Sequence, residues 1–211
     1  FLVVPNLEST LAAISDPNLR SIAFRGASEA VDTPHAFAAA TGMIPMLRFN
    51  DDAVSRPWGT NMGMREVFHF VKKAVESRDR HASWLTFGKM LKPPQTDIEP
   101  RAKPMFSNVG NSIGTGAPRV VEPIYVTAFK NPQNEIAVVV ANPVLLDPAT
   151  NLPITSSTFR LTIPDYWGLP AASTIVLTNL ESGAEYTGRV GQGVTISVPS
   201  SSITLFNVST R

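Results

Sequence analysis

The hydrophobic and polar positions of the first part of the chain, up to His81, alternate between two patterns. Short continuous apolar runs predict strands buried on both faces, and apolar residues spaced three and four apart predict helices between them. The predicted strands are Phe1–Val4, Ser21–Arg25 and Met43–Phe49, and the predicted helices are Leu7–Ile14, Thr33–Thr41 and Met64–His81. Three strand and helix units in succession predict parallel strands joined by right-handed crossovers.

The helix predicted at Met64–His81 has the clearest amphipathic pattern in the chain. One stripe is apolar and consists of Met64, Val67, Phe68, Val71, Ala74 and Val75. The opposite side carries Arg65, Glu66, Lys72, Lys73 and Glu76. A helix of this kind packs its apolar stripe against a core and leaves its charged side in water.

From Ile124 onward the pattern changes to short strands separated by turn residues. Alternation at Phe159, Leu161 and Ile163 gives such a strand one buried face, and the strand spacing is typical of an antiparallel sandwich. The predicted strands are Ile124–Phe129, Ile136–Ala141, Thr158–Ile163, Thr174–Thr178, Tyr186–Val190, Val194–Val198 and Ile203–Val208, the first two joined as a hairpin.

Between the two parts, the sequence pattern indicates a connection without helices. Trp84–Leu91 predicts a connecting strand, and the five prolines between positions 93 and 118 predict a long irregular stretch. Gly110, Gly114 and Gly116 lie in it, but no lysine follows them in phosphate-loop position. We therefore interpret them as a flexible loop.

The predicted fold class is α/β followed by all-β. Residues 1–83 are assigned to the C-terminal part of an α/β domain, and residues 84–211 to the connecting segment and an antiparallel β-sandwich. Three parallel strands neither close a barrel nor cover both faces of their sheet. We therefore expect an upstream segment, a companion chain or a second copy of this chain to complete the α/β domain.

Composition excludes several classes of partner and site. Charged residues make up 17% of the chain and the net charge is +1, so neither nucleic acid nor an anionic membrane is an expected partner. The chain has no cysteine, which excludes disulfides, thiolate metal sites and cysteine nucleophiles. The three histidines, His35, His69 and His81, are not spaced as a metal-binding pair, so no metal or cofactor is expected.

Acidic residues follow two of the predicted parallel strands, at the edge where α/β folds bind ligands. Glu29 and Asp32 come after the second strand, and Asp51 and Asp52 come after the third. Carboxylates from neighbouring strand ends can meet across a cleft and divide acid and base work on a glycosidic bond. Glu29, Asp51 and Asp52 are therefore the candidate catalytic residues. Asp51 and Asp52 can equally be solvated loop residues or partners of nearby arginines.

Arg56, Trp58 and Asp32 are the candidate substrate-binding residues. The indole of Trp58 can stack on the face of a sugar ring. Structural interpretations also stay open. Ser28–Asp32, which includes Glu29, has the composition of a helix start, and Trp58 can cover the apolar stripe of the next helix.

Several segments resemble the end of a (β/α)8-barrel glycoside hydrolase that runs into its C-terminal antiparallel β domain. The resemblance is carried by the helix Met64–His81, by WLTFGKMLKPP at Trp84–Pro94 and by IYVTAFKNPQNEIAVVVANP at Ile124–Pro143. LTIPDYWGLP at Leu161–Pro170 and VTISVPSSSITLFNV at Val194–Val208 are similar to such domains too. The likeness is one of strand and turn patterns, without a catalytic signature.

The resemblance implies that residues 1–83 hold the last units of a barrel-like domain, with Glu29 and Asp51 or Asp52 at the rim of its active face. It also implies a carbohydrate substrate, further catalytic carboxylates on earlier strands, and a β domain that packs against the barrel and supports it. A secreted or extracellular location is expected, although the composition fits the cytosol equally. The alternative function is a non-catalytic extracellular glycan-binding or structural protein.

Overall fold

The structure, a computed structural model, describes residues 36–43, 62–109, 112–121, 123–144, 154–170 and 173–211, with residues 62–69, 101–109 and 112–121 described by their backbone. The strands predicted at Phe1–Val4 and Ser21–Arg25 and the helix predicted at Leu7–Ile14 lie outside these ranges. Of the strand predicted at Met43–Phe49, only Met43 lies within these ranges. The parallel sheet of the first part therefore stays a prediction.

Three helical segments precede the strands within the described residues. Helix α1 covers 36–40, α2 covers Met62–Arg80 and α3 is the short helix Ala82–Leu85. The prediction of a helix at Met64–His81 is confirmed, and α1 lies within the helix predicted at Thr33–Thr41.

The buried stripe of α2 differs from the predicted one at its edge. Phe70, Ala74 and Ser77 are buried, and His81 continues the stripe beyond the last residue of the helix. Their spacing of four, three and four residues is that of one helix face. Val75 was predicted to be buried but is 36% exposed, because it lies one residue past this line.

Gly42 ends α1 in a left-handed conformation that brings the first and third helices together. Its φ is +71°, and the amide of Met43 donates to the carbonyl of Ala38 at 2.9 Å, as at a glycine-capped helix end. A Cβ atom at this position would collide with the carbonyl oxygen of Leu85. Conformation and close approach therefore both require glycine here.

The strands of the described residues are β1 Lys89–Leu91, β2 Gln95–Thr96, β3 Arg101–Val109, β4 Ser112–Val121, β5 Tyr125–Lys130, β6 Ile136–Asn142, β7 Ser156–Thr162, β8 Thr174–Asn179, β9 Glu185–Arg189, β10 Gly193–Pro199 and β11 Ser202–Thr210. Six form a sheet in the order β1-β5-β6-β11-β8-β9, and three form a smaller sheet in the order β10-β7-β2. Strands β3 and β4 pair with each other. Each pairing is antiparallel.

The antiparallel sandwich predicted for the second part of the chain is confirmed. Each strand predicted from Ile124 onward is present, with ends that agree to within two residues. Alternate residues of the two sheets meet in a common core, which includes Val138, Val140, Phe159, Leu161, Ile163, Ile196, Val198 and Phe206. The period-two alternation in the sequence therefore identified the faces that meet.

Two predictions for the connecting segment are wrong. The stretch predicted to be irregular contains the β3–β4 hairpin, and Gly114 and Gly116 lie in β4 and pair with β3. The register of this hairpin shifts between Lys103 and Met105, around Pro104, a residue that has no N–H to donate to a ladder. Trp84–Leu91 is not one strand, because it begins within α3 and only its last three residues pair as β1.

Within the described residues, none of the helices has both the length and the apolar content needed to cross a membrane.

Candidate functional site

The residues predicted to form a catalytic and substrate-binding site lie outside the described part of the chain. They are Glu29, Asp32, Asp51, Asp52, Arg56 and Trp58. Their proximity to one another therefore stays a prediction. The candidate functional surface among the described residues is the helix–sheet junction, which we define as the contact between α1, α2 and α3 and the face of the six-stranded sheet that is turned away from the smaller sheet.

The helix–sheet junction has an apolar centre. The sheet contributes Phe129, Val139, Ala141, Ile203 and Leu205, and the helices contribute Ala36, Ala39, Ala40, Phe70, Ala74 and Leu85. The alanines of α1 let its backbone approach the sheet closely. Strand β6 is buried at each of its residues, because the smaller sheet covers one of its faces and the helices cover the other.

Polar contacts fix α2 and α3 along the edges of this apolar centre. The Lys73 ammonium donates to the carbonyl of Ser201 at 2.7 Å, just before β11 begins. Arg80 pairs with Glu181 in the β8–β9 turn at 2.8 Å. The indole N–H of Trp84 donates to the carbonyl of Glu135 at 3.2 Å, next to β6. The helices are therefore held at both ends of the sheet.

Two further contacts hold α1 in the same layer. The hydroxyl of Thr127 on β5 donates to the carbonyl of Ala40, and the Arg78 side chain donates to the carbonyl of Gly42 at 2.9 Å. The ring of Phe37 also meets that of Tyr125 edge to face, with centroids 5.8 Å apart. Helix α1 is therefore tied both to the sheet and to α2.

Three buried polar atoms near the end of α2 and on the facing sheet have no hydrogen-bond partner among the described residues. They are Ser77 Oγ, His81 Nε2 and Asn207 Oδ1. Ser77 and His81 are 3% and 7% exposed and lie one helical turn apart. A buried polar atom without a partner costs free energy, so native structures normally satisfy such atoms.

The imidazole of His81 has a lowered pKa. Burial lowers the pKa below its ordinary value of 6.5, the carboxylate of Glu181 opposes this by raising it, and the guanidinium of Arg80 lowers it further. Its ring lies 6.4 Å from that of Trp84. The junction therefore favours the neutral form of His81.

A second surface of interest is an aromatic corner on the 3-10 turn Asp165–Trp167. The Tyr166 hydroxyl donates to the carbonyl of Pro93 at 3.0 Å, and the Trp167 indole donates to the carbonyl of Lys92 at 3.0 Å. The Lys92 ammonium lies 5.0 Å from the centroid of the Tyr166 ring. Tyr166 is 50% exposed, so its ring is presented to solvent in a fixed orientation.

The described residues contain no group of three or more His, Cys, Asp or Glu side chains placed to hold a metal ion. From the sequence, His81 was considered only as a metal ligand, and no other role was predicted for it. The 4-3-4 spacing of Phe70, Ala74, Ser77 and His81 was the signal that could have placed the histidine on the buried face.

No family model matches the chain, and no curated protein matches it. Among solved structures, the chain is similar to a noncanonic maltogenic α-amylase, AmyB, from Thermotoga neapolitana, with 13% identity and a TM-score of 0.42 over 87% of this chain and 37% of the other. It is similar to an α-amylase from Geobacillus thermoleovorans solved with acarbose, with 11% identity and a TM-score of 0.38 over 86% of this chain and 33% of the other. It is also similar to an Anoxybacillus α-amylase, with 12% identity and a TM-score of 0.39 over 88% of this chain and 33% of the other. The chain thus spans about a third of the length of each.

Proposed function

We propose that this chain is the C-terminal portion of a carbohydrate-active glycoside hydrolase, in which the β-sandwich supports an α/β barrel. The observation that carries the proposal is the helix–sheet junction. A sandwich sheet whose outer face meets water alternates apolar and polar residues. Here the outer face carries Val139, Ala141 and Leu205, which are at most 1% exposed beneath the helices. The sandwich is therefore built to carry a second layer.

Four apolar side chains on or next to α1, α3 and β1 are left uncovered. Phe37, Met43, Phe87 and Met90 are each at least 45% exposed. The register places Met90 opposite Phe129, whose side chain packs in the helix–sheet junction. We name these four residues the apolar rim. In the proposal, further α/β structure, from an upstream segment or a companion chain, packs on the apolar rim.

The proposed chemistry is hydrolysis of a glycosidic bond by carboxylates at the active face of the barrel. Glu29, Asp51 and Asp52 are the proposed acid, base or nucleophile, and Asp32, Arg56 and Trp58 the proposed substrate contacts. The work of two carboxylates on a glycosidic bond needs no metal or organic cofactor. A secreted location is part of this proposal, with the cytosol as the alternative that the composition fits equally.

Hydrolysis of a panel of polysaccharides and oligosaccharides by the full-length protein tests this proposal. Replacement of a catalytic carboxylate, as in Glu29→Gln, Asp51→Asn or Asp52→Asn, should lower kcat/KM by about 10²–10⁴-fold. Asp79→Asn, on the exposed side of α2, is the matched control and should leave turnover unchanged. Absence of hydrolysis across the panel, or full activity in all three variants, would refute the proposal.

A non-catalytic glycan-binding protein is the second candidate, and the aromatic corner favours it. An exposed aromatic ring held by hydrogen bonds loses little freedom when a sugar stacks on it. Affinity electrophoresis in gels containing each polysaccharide separates the two functions. The binding function would be established if a polysaccharide retards the protein, Tyr166→Ala abolishes the retardation and no hydrolysis occurs. It would be excluded if hydrolysis occurs and is lost on replacement of Glu29, Asp51 or Asp52.

A further inference from the structure

Ser77 and His81 lie at the C-terminal end of α2, and Asn207 lies on the sheet face that the helices cover. Ser77 and His81 are on the buried stripe of α2, which packs against β11. Asn207 lies on β11 two residues after Leu205 and therefore on the same sheet face, the one that meets the helices. Trp84 contacts the ring of His81 and bonds to Glu135, beside the residue that pairs with Val208. These contacts bring the end of α2 to the part of the sheet that holds Asn207.

The hydrogen-bonding capacities of the three atoms are complementary to one small neutral partner. Asn207 Oδ1 only accepts, the Ser77 hydroxyl donates and accepts, and His81 Nε2 donates or accepts according to its tautomer. A water molecule has two donors and two acceptor sites, and buried waters typically make about three hydrogen bonds. An anion would meet the lone pairs of Asn207 Oδ1. A metal cation would lack a carboxylate ligand, since Glu181 is paired with Arg80.

We infer that a water molecule binds within the helix–sheet junction and is held jointly by Ser77 Oγ, His81 Nε2 and Asn207 Oδ1. In this arrangement His81 Nε2–H donates to the water, and the water donates to Asn207 Oδ1 and Ser77 Oγ. One molecule thereby satisfies the three unpartnered atoms. It also joins the end of α2 to the middle of the six-stranded sheet by hydrogen bonds, in addition to the contacts of Lys73 with Ser201 and of Arg80 with Glu181.

The direct test is the detection of a long-lived water beside His81 by nuclear magnetic resonance of the whole chain. The imidazole protons of His81 are assigned by the loss of their signals in His81→Asn. These protons should show cross-peaks to the water resonance, and the NOE and ROE cross-peaks should have opposite signs. Such signs mark a water that stays bound much longer than the water of the protein surface. Absence of these cross-peaks, or peaks with the signs of freely exchanging surface water, would overturn the inference.

A double-mutant cycle tests whether one water is shared. Ser77→Ala and Asn207→Val each remove one ligand, and the second replacement keeps a residue that favours strands. A shared water predicts that the fall in Tm of the double variant is smaller than the sum of the two single falls. Additive falls would contradict sharing.

Ser200→Ala supplies the matched control. Ser200 Oγ is also a buried hydroxyl without a partner among the described residues, but it lies in the turn that connects β10 and β11. Ser200→Ala should therefore show additive falls with Asn207→Val and should leave the His81 water cross-peaks unchanged. If a junction variant fails to fold, the cross-peaks of the unaltered chain still decide the question.

Discussion

The ammonium of Lys73, in the middle of α2, donates a 2.7 Å hydrogen bond to the carbonyl of Ser201, 128 positions further along the chain. This bond fixes the helix against the start of β11, the strand that lies between β6 and β8. Its neighbour Lys72 points away from the sheet and pairs with Glu76 at 3.8 Å on the exposed side of the same helix. Two adjacent lysines therefore have different structural roles.

Lys73→Met should destabilise the chain, because it removes a charged donor and leaves the Ser201 carbonyl unpaired. The expected loss in the free energy of unfolding is about 1–3 kcal/mol. Lys72→Met is the control, with an expected change of at most about 0.5 kcal/mol, since exposed ion pairs spaced four residues apart on a helix contribute little. Urea unfolding of the two variants measures both values, and equal losses would contradict the role given to Lys73.

Gly42→Ala should lower the free energy of unfolding more than Gly183→Ala does. Both glycines have a left-handed backbone, with φ of +71° and +72°. Alanine there costs about 1–2 kcal/mol for conformation alone. Gly183 has open space around it, whereas a side chain at Gly42 meets the carbonyl oxygen of Leu85. The difference between the two losses measures how tightly the end of α1 packs on α3, and the absence of a difference would argue against that packing.

The stability of the helix–sheet junction should fall in mildly acidic solution. The folded-state pKa of His81 is lowered, chiefly by burial, with Glu181 raising it and Arg80 lowering it. The unfolded state therefore binds a proton more readily than the folded state. The contribution of neutral His81 is present in full above pH 6.5 and is lost as the pH falls below that value toward the folded-state pKa.

Unfolding free energies measured between pH 8 and pH 5 for the unaltered chain and for His81→Gln check this sign. The glutamine variant should show a smaller loss over the same interval, since it has no imidazole to protonate. Parallel curves would place the pH dependence on other groups.

Phe87→Ser combined with Met90→Ser should lower Tm only where further α/β structure is present. Both side chains are largely exposed in this chain, at 71% and 45%, so their loss here should be nearly neutral. In the full-length protein or complex they would be buried on the apolar rim, and each would be worth about 1.5–3 kcal/mol. Lys89→Ser, on the neighbouring position of β1, is the control. Equal changes in Tm in this chain alone and in the full-length protein or complex would contradict the proposal that further structure packs on the apolar rim.

The sandwich was predictable in part because strands such as β7 and β10 have one buried face that the sequence marks by alternation. Strand β6 was predicted as a strand, but its continuous apolar sequence does not distinguish the face that meets the smaller sheet from the face that meets the helices. The β3–β4 hairpin was missed because Pro104, Gly114 and Gly116 favour irregular backbone, while the pairing of β3 with β4 holds the chain extended. Local preference therefore gave the wrong result where pairing decided the structure.

The helix–sheet junction was less predictable than the strands. The spacing of Phe70, Ala74, Ser77 and His81 is readable along one helix, but the burial of His81 depends on β11 and on the turn that carries Glu181, about a hundred residues later in the chain. Spacing within a helix identifies a face without identifying what covers it. The acids predicted as catalytic lie outside the described residues, so their placement stays a prediction.

The complete burial of β6 also bears on the order in which the protein is made. Its sequence, Ile136–Asn142, has high β-propensity and no charge, the composition of segments that aggregate when exposed. Helices α1 to α3 come earlier in the chain and are synthesised before it, and domains generally fold from the N-terminus during synthesis. The cover for one face of this strand is therefore synthesised before the strand leaves the ribosome, whereas β7 and β10, which cover the other face, follow it.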